Sequence, residues 1–145
     1  MIHVNKKTRR AFTLIELMVV IFIIGILSAV AMPYMKGRTD SSRWTEGKNA
    51  AGSIRTAIRA YCAEHGPGYT YNLSGLAGIR ELGFSIRSEG DPTSDLDGRY
   101  FIETDYDLRM VGYDNYTITV TAGGSPEAPT VPAVVTLNQD GQFTP

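Results

Sequence analysis

The apolar positions along this chain change their period twice. Residues 12–32 (FTLIELMVVIFIIGILSAVAM) are apolar with few breaks, and from Leu17 to Met32 no charged residue occurs. Gly25 and Ser28 alone interrupt that uncharged run. As a helix these 21 residues are long enough to cross a ~30 Å hydrocarbon core. Downstream, Trp44, Gly47, Ala51, Ile54, Ala57 or Ile58, and Tyr61 recur at spacings of three and four. That spacing is the stripe of an amphipathic helix with one face on a core. Arg43, Glu46, Lys48, Arg55 and Arg59 occupy its other faces. Between the two stretches, Pro33 lacks the N–H that would bond back to residue 29, so a kink or a loosened turn is expected there. Gly66-Pro67-Gly68 is a stop signal, with Glu64 and His65 closing the last turn. The whole reads as one helix over residues 12–65, roughly 80 Å long at ~1.5 Å per residue. A chain of 145 residues cannot cover a helix of that length. Its N-terminal half must face lipid or other copies of itself.

After Gly66 the period shortens. Residues 69–71 read as loop, and Asn72 or Ser74 caps a short helix through Leu82, with Leu73, Leu76, Ile79 and Leu82 at spacing three and Gly83 ending it. Residues 88–98 (SEGDPTSDLDG) are polar and turn-rich. Strands are expected over 99–104 (RYFIET), 107–111 (DLRMV), 115–122 (NYTITVTA) and 133–137 (AVVTL). The third alternates Tyr116, Ile118 and Val120 with threonines, the period of a half-buried strand. Residues 123–132 are a Gly/Pro loop, and Asp140-Gly141 is a turn signal. The expected class is α+β: a long N-terminal helix packed on an antiparallel sheet of three to four strands. Four segments follow: a leader over 1–11, a transmembrane stretch over 12–33, the amphipathic half of the same helix over 34–65, and a globular head over 66–145.

Charge sharpens this division. Formal net charge is −1, and taking away Lys6, Lys7, Arg9 and Arg10 of residues 1–11 leaves −5 for residues 12–145. Such a balance gives no electrostatic reason to expect nucleic-acid binding. The basic cluster precedes the apolar run, which places the N-terminus in the cytoplasm and the head outside. Cys62 is the one cysteine, so no internal disulfide forms; its plain reading is a small apolar residue on a helix face.

A cleaved secretory signal would explain the apolar run alone, with residues 28–31 (SAVA) as a small-residue cleavage site. It does not explain Glu16, a carboxylate near the start of the apolar segment. At mid-bilayer such a group costs roughly 2.5–3.5 kcal/mol on insertion scales, and less near the interface, so it asks for a partner.

Ala11-Phe12-Thr13-Leu14-Ile15-Glu16-Leu17, after a basic leader and before a long apolar run, resembles the prepilin signature of type IV pilins and type II secretion pseudopilins. The similarity is strong over residues 9–33 and looser to residue 65. The resemblance implies a cut by a prepilin peptidase between Ala11 and Phe12, N-methylation of Phe12, and an assembly role for Glu16. Glu16 would pair with the terminal ammonium of Phe12 on a neighbouring subunit. Gly25 and Pro33 fall where many pilins loosen the helix. It further implies a structural subunit rather than an enzyme, held in a bacterial inner membrane. An inner-membrane platform would assemble it with other pilins or pseudopilins into a homo-oligomeric filament, either a pilus or a periplasmic pseudopilus. Two departures stand out: Ala11 occupies the place where the family usually has glycine, and the C-terminal disulfide of many pilins cannot form. The rival class is a secreted or membrane-anchored binding domain behind an ordinary signal sequence.

Other constellations carry less. Asp95 and Asp97, with Asp91 nearby, could ligate calcium, but no full ligand set at loop spacing is present, and the plain reading is a solvated acidic loop with no cofactor. Cys62 and His65 lack an orienting third group for nucleophilic chemistry. Residues 72–74 and 115–117 match the N-glycosylation pattern by chance in a bacterial context.

Overall fold

A computed structural model describes residues 12–87 and 92–145. Two compact units emerge, one ending at Lys36 and the other running over Gly37–Pro145. Helix α1 spans Leu14–His65, within two residues of the start expected from the pattern, and its helical turns continue through Pro33.

In the first unit every large apolar side chain from Phe12 to Met35 is exposed. Among the described residues of the unit nothing buries them, as expected of a helix that is apolar all round.

In the second unit α1 has a single buried face made of Asp40, Trp44, Gly47, Ala51, Ile54, Ile58 and Cys62. The spacing of four and three leaves Ile58 buried and Ala57 half-buried, which settles the alternative left open by the pattern. Tyr61 is half-buried and Cys62 is the core residue of the last turn. The helix ends at Gly66, whose φ of +74° suits glycine and whose N–H donates to Cys62 O at 2.9 Å. Tyr71 Oη then donates to Gly66 O at 2.6 Å, tying the following loop back to the helix end.

Among the described residues the sheet has five antiparallel strands in chain order: β1 (Leu73–Ser74), β2 (Tyr106–Gly112), β3 (Asn115–Thr121), β4 (Val134–Asn138) and β5 (Phe143–Thr144). Three of the expected strands form within one or two residues of their expected bounds. The extra ones, β1 and β5, have two residues each, too few to show a period. Leu108 pairs with Ile118 and Ile118 with Leu137, so one sheet face presents Tyr106, Leu108, Met110, Tyr116, Ile118, Val120, Val135 and Leu137 to the core. These residues and the buried face of α1 form one apolar cluster. Helix α2 (Gly75–Glu81) starts after Ser74, the second of the two expected caps, because Leu73 pairs with Met110 in β1. Ser74 holds the N-cap position, though its side chain makes no capping bond. A Cβ at Gly78 would lie 3.0 Å from the Leu73 main chain, so the sharp turn from β1 into α2 favours glycine there.

One expected strand does not form. Residues 99–104 carry strand-like composition, yet they run as an irregular segment into a 3₁₀ turn at Glu103–Asp105. Their donors go elsewhere: Arg99 N, Tyr100 N and Phe101 N bond the Glu46 carboxylate at 3.2, 2.8 and 3.0 Å. Phe101 is fully buried against Trp44, ring centroids 4.9 Å apart, over Gly47. A Cβ at position 47 would meet that ring at 3.0 Å.

Candidate functional site

The first site is the start of α1. Thr13 precedes the helix and Glu16 stands at its third position. Thr13 N and Thr13 Oγ1 donate to Glu16 Oε2 at 2.9 and 2.8 Å, and Glu16 N donates back to Thr13 Oγ1 at 3.3 Å. This reciprocal pair is a capping box, and its carboxylate sits where the helix dipole favours a negative charge. Glu16 thus has a partner in its own chain beside the one expected on a neighbour, and Thr-x-x-Glu before an apolar run is the sequence signal for this local bond. Phe12 is 86% exposed directly before it. Ala11, the other half of the expected cleavage site, lies outside the described residues. Among the described residues nothing lies within 4 Å of where a Cβ at Gly25 would stand, so no close packing among them requires glycine there. Pro33 lies inside α1. By length and composition α1 can cross a membrane, and its most apolar window is wholly unburied.

The second site is a set of carboxylates in the head that hold irregular segments by their main chain. Asp40, one turn before Trp44 on the buried face, accepts from Thr130 N, Thr130 Oγ1 and Val131 N at 3.1, 2.8 and 3.2 Å. The Thr130 hydroxyl above all, with these amides and Arg43 at 3.9 Å, holds its carboxyl below the usual range. Trp44 Nε1 donates to Pro132 O at 3.1 Å beside it. Asp105 accepts from Ile102 N and Gly124 N at 2.9 and 2.8 Å. Arg99 pairs with Glu127 at 2.7 Å. Together with Glu46, these groups fasten both 99–102 and the loop over residues 123–132.

The calcium candidates belong to the same pattern. Asp95 Oδ2 accepts from Ser85 N at 2.7 Å; Asp97 accepts from Glu103 N at 3.1 Å and pairs with Arg87. Asp91 lies outside the described residues. Among the described residues no group of three or more His, Cys, Asp and Glu side chains converges as a metal site. Cys62 is buried with its thiol 3.3 Å from Tyr113 O; burial, and then the Asp114 carboxylate, push its pKa up. That is the opposite of an activated nucleophile. His65 instead places Nδ1 2.9 Å from Tyr61 O, and the two rings stack 4.2 Å apart.

A long helix with an uncovered apolar start, continuing into the core of a small antiparallel sheet, defines a pilin-like architecture. Residues 6–32 match the family described as the prokaryotic N-terminal methylation motif. The chain is 33% identical over 117 residues to the type IV major pilin protein PilE1 of Neisseria gonorrhoeae, covering 81% of this chain and 54% of that one. It is 43% identical over 61 residues to the fimbrial protein EcpC of Eikenella corrodens, covering 42% and 40%. It is 34% identical over 122 residues to the type IV major fimbrial protein FimA of Dichelobacter nodosus, covering 79% and 72%. The chain spans about half the length of the first two relatives. No solved structure matches it. This chain belongs to the type IV pilin family.

Proposed function

We propose that the chain is a structural, non-enzymatic subunit of a type IV pilus. A prepilin peptidase cuts it between Ala11 and Phe12, the new terminus is N-methylated, and the subunit is stored in the inner membrane with its head outside. An assembly platform then draws it, with further copies and other pilins, into a surface filament. The observation that carries this reading is the run of exposed apolar side chains from Phe12 to Met35. A surface of that kind is stable only in lipid or against its own copies. Relatives named as major pilins and fimbrial proteins favour a pilus over a secretion pseudopilus.

Glu16 has two successive partners in this scheme. In the stored subunit the Thr13 capping box satisfies it. In the filament core it exchanges Thr13 for the Phe12 ammonium of a neighbour, and a subunit placed one step out of register leaves the carboxylate unpaired, at several kcal/mol. Gly25 and Pro33 lower the cost of bending α1 as subunits pack.

Mass spectrometry of the mature chain tests the reading. An N-methylated Phe12 terminus is expected, and a terminus near Ala31 overturns it in favour of an ordinary signal sequence. Glu16→Ala should be processed as well as wild type and yield few filaments by electron microscopy. Normal filament yield would remove the register role.

A further inference from the structure

On the head, the last turns of α1 and two hairpin turns enclose a cleft of about 640 Å³. Arg55 and Arg59 line it from α1, one turn apart. Asp114 of the β2–β3 turn and Asp140 of the β4–β5 turn line it from the sheet, with Tyr113 and Cys62 between. Among the described residues, none of these four charged side chains is in an ion pair. Both signs therefore line one cleft without a direct ion pair between them. Arg55 is held in place by an Nη2–H bond to Gln139 O at 3.0 Å, while its buried Nε–H has no acceptor. Arg59, Asp114 and Asp140 are exposed and free to meet a ligand.

The four formal charges sum to zero, and that decides the class of ligand. A plain anion gains from the arginines but is opposed by the aspartates, and a plain cation meets the reverse. Guanidinium groups match carboxylate and phosphate oxygens in geometry as well as charge. We propose that this cleft binds a small zwitterion, its carboxylate or phosphate against Arg55 and Arg59 and its ammonium against Asp114 and Asp140. The site lies wholly within the head and does not depend on the filament reading.

Isothermal titration calorimetry on the full-length chain in neutral detergent tests this, with β-alanine, O-phosphoethanolamine, inorganic phosphate and ethanolamine as probes. At least one of the two zwitterions should bind about tenfold more tightly than phosphate or ethanolamine. The winner shows whether the anionic half is a carboxylate or a phosphate. Arg59→Gln should weaken the zwitterion about tenfold, and Asp114→Asn should close the gap between zwitterion and inorganic phosphate. Both positions are exposed, so neither change threatens the core. Equal affinity for phosphate and zwitterion, no binding of either zwitterion at millimolar concentration, or unchanged affinities in both variants would overturn the proposal.

Discussion

The two units of this chain use the same apolar residues to opposite ends. In the first, Ile15, Val19, Phe22 and Ile26 are all about half exposed or more. In the second, Ala51, Ile54 and Ile58 on the same helix are fully buried. The difference lies in what surrounds them. Around the second set, Arg43, Lys48 and Arg59 mark polar faces and leave one stripe for the sheet; around the first set no polar face exists. A one-faced helix is completed within its subunit, whereas an all-round apolar helix is completed only by a membrane or by other subunits.

This contrast can be broken in graded ways. Phe101→Ala should destabilise the head most, by about 3–5 kcal/mol, because the ring fills the space over Gly47 and against Trp44. Urea unfolding of the detergent-solubilised chain, followed by near-ultraviolet circular dichroism, measures it; a loss below about 1 kcal/mol would mean the ring is not a keystone of the core. Ile58→Ala should cost about 2–5 kcal/mol in the same assay, while Ile21→Ala should leave head unfolding within about 0.5 kcal/mol of wild type. Similar losses for both would show that the two units are not energetically distinct. Glu46→Ala should cost about 2–4 kcal/mol by leaving the partly buried amides of Tyr100 and Phe101 without an acceptor.

The smallest effect is on acid sensitivity. The folded Asp40 carboxyl lies below its ordinary value, so its contribution is complete above the unfolded value of about 4 and fades as pH falls through the lower folded value. The urea midpoint of the wild type should therefore drop more between neutral and strongly acid pH than that of Asp40→Asn. Parallel curves for the two would exclude Asp40 as a source of the acid dependence.

What could be read from the residues alone follows how local the cause is. The stripe from Trp44 to Ile58 and the alternation of Tyr116, Ile118 and Val120 are periodic and self-contained, and both appear where expected. The Thr13–Glu16 box is equally local and is written in the three-residue spacing of the pair. Asp40, which the periodicity alone does not single out, has a local signal as well: one charge that continues the apolar stripe backward by a turn. Residues 99–104 were not legible. Their composition favours a strand, but their amides are taken by Glu46, 53 to 55 positions away in the chain. The charged cleft is hidden for the same reason, since its two arginines and two aspartates meet only when the hairpin turns reach α1.

The carboxylate fastenings of the head have a consequence for how its exterior can change. Glu46, Asp105 and Asp40 grip amide N–H groups at positions 99–102, 124, 130 and 131, and any residue except proline supplies such a group. Among the loop contacts of these three carboxylates only the Thr130 hydroxyl on Asp40 is read as a side chain, and the Arg99–Glu127 pair is a further side-chain fastening. Gly98 and Gly124 are the fixed points, because a Cβ at Gly98 would run into the Glu46 carboxylate and one at Gly124 into the Ile102 side chain and the Asp105 carboxylate. Apart from Thr130 and the Arg99–Glu127 pair, the outward side chains of these segments can vary while the loop path is kept, so the head can acquire a new surface without acquiring a new fold.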